Sequence, residues 1–188
     1  MASSSKLTPN QNDDSGHIPY SYSTPVEWRK YSAIIIDPVA IYSGPDNQFG
    51  DLSKADKQEL ARYMDTTFNK VLSQRFQVSS NPGPNTLKLK LTLTGAGTNT
   101  AVASTVTRFD LAGMPYNVVQ SVRGKEGIFM GSVSYSVEIY DASNNQLLKA
   151  FVTKQYPNAM NIAATFGSLN AAKTGIEKGA DALVASLK

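Results

Sequence analysis

The sequence predicts an α+β domain, built as a mostly antiparallel sheet with two helices packed on one face. Residues 87–94 and 132–140 alternate apolar and polar side chains, which is typical of strands buried on one side. Residues 52–76 and 168–188 instead repeat apolar side chains every three to four positions, as amphipathic helices do. Because the strands and helices do not alternate regularly, one sheet with helices on one side is the expected architecture.

Composition bounds the chemistry that this chain can perform. The 188 residues are 41% hydrophobic and 18% charged, which suits one globular domain, and no run approaches the ~20 apolar residues of a membrane helix. There is no cysteine and one histidine, His17. Thiol nucleophiles, disulfides, zinc sites and Ser-His arrangements are therefore excluded, and we predict neither a metal nor a cofactor.

The first strand is predicted within YSAIIIDPVAIY, residues 31–42. Consecutive β-branched residues suit a strand covered on both faces, and Pro38 removes a donor from the ladder. We interpret Asp37, directly before that proline, as a residue at a strand end or kink rather than as a catalytic acid.

The first helix has clear boundary signals. Ser53 is a good N-cap, and Asp56 places negative charge in the first turn, where the helix dipole favours it. Apolar residues at Leu60, Met64 and Phe68 mark the buried face. We therefore read the acidic residues near this end as dipole partners and not as an acid/base pair.

Three further strands are predicted in the second half of the chain. The breaker NPGPN precedes the alternating TLKLKLTLTGA, and DASNNQ joins two strands into a hairpin. One face of each strand is expected to be core and the other wet. Glu138 falls on the polar face, where we expect it to be solvated or paired across the strands.

Composition predicts where the folded domain begins. Residues 1–27 are rich in serine, asparagine, proline and glycine, so we predict a flexible polar tether there, followed by a single α+β domain over 28–188. The opening residues lack the charged and apolar regions of a signal peptide.

A candidate binding surface lies in the connection of residues 95–127, whose structure the sequence does not define. Long connections often carry function, and aromatic, methionine and arginine side chains are enriched at protein interfaces. An equally good alternative is that the apolar side chains pin the loop to the sheet. The candidate residues are Arg108, Phe109, Leu111, Met114, Tyr116 and Arg123.

Several segments together resemble a family of uncharacterised Gram-negative lipoproteins, known as a domain of unknown function. They are WRKYSAIIIDPVAIY, LSKADKQELARYMDTTFNKVL, NPGPNTLKLKLTLT and SVEIYDASNNQLLKAF. The resemblance covers residues 28–188 and rests most on the strand that ends in Asp37, Pro38 and Val39, and on Glu138 with Asp141. It implies export and a lipid on an N-terminal cysteine, which would hold the protein at the outer membrane facing the periplasm. This chain has neither signal nor cysteine, so we expect the anchor to precede it.

Three functions from different classes follow from these observations. The first is a membrane-tethered periplasmic binding or envelope-assembly module without catalytic activity, whose partner is an envelope protein or another periplasmic protein. The second is a carboxylate-dependent hydrolase of the envelope using Asp37, Glu138 and Asp141, which needs two of them close together with separated pKa values. The third, nucleic-acid binding, starts from seven basic residues against one acid between Lys70 and Lys125. These charges are scattered and lack interleaved aromatics, so we expect no nucleic-acid partner.

Overall fold

The computed structural model describes residues 3–13, 16–97, 132–155 and 169–188, and within them one sheet of eight strands forms the centre. The order across the sheet is β1-β2-β8-β7-β6-β3-β5, while β4 also pairs with β6. The elements are β1 (Thr8–Pro9), β2 (Tyr20–Ser23), β3 (Ala33–Ile36), β4 (Ala40–Ile41), α1 (Lys54–Leu72), β5 (Gln77–Val78), β6 (Thr86–Ala96), β7 (Val133–Asp141), β8 (Leu147–Gln155) and α2 (Asn170–Ala185).

The sheet is mixed: most of its pairing is antiparallel, as expected, and the parallel pairings are an addition that the sequence did not predict. Strands β1, β2, β8, β7 and β6 pair antiparallel, but β3 pairs parallel with both β5 and β6, and β4 pairs parallel with β6. Helix α1 lies between β4 and β5 in the chain, and a helical crossover returns the chain in its original direction. The alternation of side chains in the sequence contains no information about strand direction, so the parallel part was missed.

The helix start and the hairpin that local sequence signals predicted are both present in the structure. Ser53 Oγ accepts a hydrogen bond from the Asp56 N–H at 3.1 Å, so the predicted N-cap of α1 is confirmed. The β7–β8 hairpin is also confirmed, with β7 ending at Asp141 and β8 beginning at Leu147. Asn145 in its turn has φ 57°, a left-handed conformation that asparagine tolerates well.

Both helices lie on the same face of the sheet, because both contact Tyr135 of β7. The ring of Phe68 from α1 meets the Tyr135 ring edge-on with centroids 5.9 Å apart. From α2, Gly179 faces the Tyr135 hydroxyl so closely that a Cβ would overlap with it. Tyr135 is 1% exposed and belongs to the main core, together with the leucines of β6 and the apolar faces of the helices. We call this side of the sheet the helix face and the opposite side the outer face.

The outer face of β7 is buried, whereas the sequence suggested that it would be wet. Ser134, Ser136, Glu138 and Tyr140 are all buried. A second, smaller apolar cluster covers this part of the sheet, formed by Leu7, Tyr20, Tyr140, Leu147, Ala150 and Val152, with Tyr22 packed against it.

The cover comes from the N-terminal segment, which was predicted to be a flexible tether. In the structure β2 pairs with β8 and β1 pairs with β2, so the segment extends the sheet. Residues 3–7 then cross the outer face, where Leu7 is buried. That interpretation weighed average composition, whereas in the described residues a few well-placed apolar side chains and the free edge of β8 supply the contacts that the segment makes.

Candidate functional site

The candidate binding residues of the long connection lie outside the described residues. This applies to all six: Arg108, Phe109, Leu111, Met114, Tyr116 and Arg123. Their role in binding therefore stays a prediction.

The described residues contain a different polar site, centred on Glu138 in the middle of the outer face. The strand register forms a row across the sheet from Tyr22 of β2 through Ala150 of β8 and Glu138 of β7 to Lys90 of β6. Glu138 is 3% exposed although it was expected to be solvated or paired across the strands. A carboxylate is expensive to bury unless donors surround it, so its hydrogen-bond partners define the site.

Two donors converge on one oxygen of this carboxylate. The backbone N–H of Ser3 donates to Glu138 Oε1 at 2.9 Å, and the hydroxyl of Tyr140 donates to the same atom at 3.1 Å. We name Lys90, Ser136, Glu138 and Tyr140 the outer-face site, which Ser3 covers. Its position follows from the period of two along β7, which places residues 136, 138 and 140 on the same side of the strand.

Burial and charge in the outer-face site act on Tyr140. Burial first, and then the charge and hydrogen bond of Glu138, raise the pKa of Tyr140 to about 12. Lys90 Nζ lies 5.4 Å from the centre of the same ring, within cation–π range. The phenol therefore stays a hydrogen-bond donor at any physiological pH.

Three buried hydroxyl groups make no hydrogen bond to the other described residues; one belongs to the outer-face site and a second to the segment that covers it. They are Ser3 Oγ, Thr94 Oγ1 and Ser136 Oγ. Ser136 is 1% exposed and lies on β7 two positions before Glu138, between Thr92 and Val152 of the neighbouring strands. A buried polar atom without a partner is costly and uncommon, so each of these hydroxyls could pair with a group from another molecule.

Asp37 lies where the first strand breaks, as the sequence indicated. Strand β3 ends at Ile36, the Asp37 N–H still donates to Leu89 O at 3.0 Å, and β4 starts at Ala40. The side chain forms an ion pair with Lys88 at 3.8 Å, and both groups are about one-third exposed. Its surroundings are those of a partly exposed structural residue.

The side chains of Asp141 and Glu138 lie on opposite faces of β7. Tyr31 Oη donates to Asp141 Oδ2 at 2.7 Å from the main core, and the Ser143 N–H donates to Oδ1 at 2.9 Å. Burial alone would raise the pKa of Asp141, but the hydrogen bonds from Ser143 and Tyr31 lower it below the ordinary value. The two carboxylates considered for hydrolysis on β7 therefore do not face a common cleft.

Metal-ligating side chains do not gather in the described part of the chain, where no group of three or more histidine, cysteine or acidic residues occurs. Nor do those same residues form a helix long and apolar enough to cross a membrane.

Sequence reasoning missed the outer-face site because its decisive contact is between Ser3 and Glu138, 135 positions apart. A signal was present: a glutamate in a run of serine, valine and tyrosine is unusual for a central strand. That signal marks the carboxylate but not the N-terminal segment that covers it.

Fold and site together define a class: a single-sheet α+β domain with two helices on one face and a covered carboxylate on the other. The chain belongs to the family described as "Protein of unknown function (DUF3313)", whose model matches residues 1–183. The match includes the segment predicted to be a tether. The resemblance to an uncharacterised family agrees with this membership, and no curated protein matches the sequence.

Solved structures with a similar arrangement are distant in sequence. The PelC dodecamer from Paraburkholderia phytofirmans is 12% identical, with a TM-score of 0.43 over 86% of this chain and 94% of that one. A DUF4136 family protein from Bacteroides thetaiotaomicron is 9% identical, with a TM-score of 0.42 over 93% and 98%. A "putative lipoprotein" from Caulobacter crescentus is 14% identical, with a TM-score of 0.31 over 81% and 83%. Likenesses of this size transfer no function.

Proposed function

We propose that this protein is a non-catalytic binding or assembly module of the Gram-negative envelope, held at the outer membrane by a lipid anchor and facing the periplasm. The lipid anchor and the location follow from the resemblance stated above. Its partner is another envelope protein, and neither a cofactor nor a nucleic acid takes part.

The observation that most supports binding over catalysis is how the carboxylates are used. Asp37 is paired with Lys88, Glu138 accepts from Ser3 and Tyr140, and Asp141 accepts from Tyr31 and Ser143. Catalytic acids and bases need a face turned toward a substrate and a pKa matched to proton transfer. These three side chains instead hold segments of the chain together.

The partner surface proposed here is formed by residues that the sequence predicts to lie in a long connection: Arg108, Phe109, Leu111, Met114, Tyr116 and Arg123. Loops on a rigid scaffold commonly carry recognition, and aromatic, methionine and arginine side chains are enriched where interfaces gain most of their binding energy.

The test is co-purification from envelope extracts of a Gram-negative cell that expresses the protein from its own gene. Wild type is compared with Tyr116→Ala and Met114→Ala, and a thermal melt is recorded for each. An interface predicts loss of the captured protein at an unchanged Tm. Loss of about 1 to 3 kcal/mol of packing, seen as a Tm lower by several degrees, would instead identify pinned core residues.

Val78→Ala is the matched control, because Val78 is an exposed apolar residue (46%) on the edge strand β5 and this substitution should leave capture intact.

The lipid anchor is tested separately, by labelling with a clickable palmitate analogue followed by membrane fractionation. Unlabelled protein in the soluble periplasmic fraction would remove the lipoprotein part of the proposal.

A further inference from the structure

The N-terminal residues 3–7 occupy the outer-face site in the way that a bound peptide would. Leu7, the one apolar residue among them, packs in the smaller apolar cluster, and none of residues 3–7 belongs to the main core. The segment reaches this position through β1, a strand of two residues that pairs with β2. The rest of the sheet, from β8 to β5, does not depend on residues 3–7 for its strand pairing.

Three contacts hold the segment, each of a kind used in peptide recognition. The Ser3 N–H bonds to Glu138 Oε1 at 2.9 Å, the buried Leu7 packs within the smaller apolar cluster, and Lys6 Nζ lies 5.6 Å from the centre of the Tyr22 ring. A main-chain hydrogen bond, an apolar pocket and a cation–π contact together specify sequence as well as direction.

The fit of the segment is incomplete. Within the outer-face site Ser136 Oγ is buried without a hydrogen-bond partner among the described residues, and Ser3 Oγ, which belongs to the segment itself, is also buried and unpaired. A segment that brought a hydrogen-bonding group to Ser136 Oγ would satisfy this hydroxyl, so the site is not optimised for the segment that covers it.

We propose that the outer-face site recognises an extended peptide segment of another protein, and that residues 3–7 are an intramolecular stand-in for it. The segment has a backbone N–H facing Glu138, an aliphatic side chain four positions later and a basic residue directly before that side chain. This inference goes beyond the proposed function, which assigns recognition to residues 108–123.

A built-in competitor lowers the apparent affinity for such a peptide by the fraction of molecules in which the site is open. Weakening the competitor should therefore tighten binding. Ser3→Pro removes the N–H that Glu138 accepts, since proline has no backbone donor. Ser3→Ala is the matched control, because it keeps this N–H and removes only the hydroxyl.

The probe is a fluorescein-labelled peptide, SSSKLTP, which has the sequence of residues 3–9, and binding to the full chain is followed by fluorescence anisotropy. We expect the Ser3→Pro chain to bind this peptide at least tenfold more tightly than wild type or Ser3→Ala. Peptides with proline for the first serine or aspartate for leucine should lose this gain.

Equal binding by all three chains, or equal binding of the altered peptides, would overturn the proposal. Leu7→Asp in the full chain opens the site by a second route and should reproduce the Ser3→Pro result. If circular dichroism shows that both substitutions unfold the sheet, the segment is an integral part of the fold and the proposal is wrong. The co-purification experiment on Tyr116 and Met114 fails or succeeds independently of these outcomes.

Discussion

At the scale of single residues, an acidic side chain can accept a hydrogen bond from a backbone N–H that has no partner in a neighbouring strand. Strand β3 is followed by Pro38, which has no N–H, and then by Val39, whose N–H donates to Asp65 Oδ1 of α1 at 2.9 Å. Unpaired groups at a strand edge invite pairing with other chains, and here a helix side chain occupies one of them. Asp65 therefore ties α1 to the break between β3 and β4.

Replacing Asp65 by alanine should lower the free energy of unfolding by about 1 to 2 kcal/mol, or roughly 3 to 6 °C in Tm, because the Val39 N–H loses its acceptor. Asp65→Asn keeps a side-chain oxygen and should lose less. Thermal denaturation followed by circular dichroism measures both. Equal losses in the two variants would show that the charge, and not the hydrogen bond, matters.

Asp37→Asn should change stability little, because its ion pair with Lys88 is long and partly exposed, and such pairs contribute about 0 to 1 kcal/mol. We expect a Tm within about 3 °C of wild type and unchanged capture of the envelope partner. Lys88→Gln serves as the reciprocal control. If partner capture were lost at an unchanged Tm, Asp37 would have to be reassigned to a functional site.

At the scale of elements, two glycines let α2 approach the sheet. A Cβ at Gly175 would come within 2.8 Å of Val133 Cγ1, and one at Gly179 would overlap with Tyr135 Oη. In a helix, alanine is normally more stable than glycine by about 1 kcal/mol. Here the close contact should instead make alanine less stable than glycine at these positions.

We expect Gly179→Ala to lower stability by about 1 to 3 kcal/mol through overpacking against Tyr135, measured by urea denaturation. Adding Tyr135→Phe removes the hydroxyl that the new methyl group meets, so the double variant should recover part of the loss relative to the sum of the single changes. Strict additivity of the two changes would contradict a direct clash.

The elements that sequence patterns predicted well are those whose signals are local. Helix α1 begins at its serine cap, and β6, β7 and the hairpin follow the alternation of apolar residues. Three results were beyond local patterns: the parallel pairing of β3, the burial of Glu138 and the packing of Leu7 on the outer face. Each depends on a partner distant in sequence, whereas periodicity reports only which side of a strand a residue occupies.

At the scale of the whole molecule, acid stability should depend on Asp141, which joins the β7–β8 hairpin to Tyr31. Because the folded state lowers the pKa of Asp141 below its ordinary 3.8, its stabilising contribution is complete above that value and is lost as the pH falls through the lower folded pKa. The difference in Tm between wild type and Asp141→Asn should therefore be largest at neutral pH and shrink below pH 3.8.

Melts from neutral pH down to well below pH 3.8 measure this difference, with Tyr31→Phe as a control that removes one donor and keeps the carboxylate. That control should show a smaller dependence on pH than Asp141→Asn. A difference in Tm that stays constant across the range would mean that the Asp141 carboxylate has the same pKa in the folded and unfolded chain.

The pairing of β2 with β8 has a consequence for the order of synthesis. Ser3 and Glu138 are separated by 135 positions, and a ribosome adding about 5 to 20 residues per second needs roughly 7 to 27 s to cover that distance. Throughout this interval the start of the chain has been made but the strand that will receive it has not. The N-terminal segment is thus available to chaperones and targeting factors first, and becomes part of the sheet only after β7 and β8 have been synthesised.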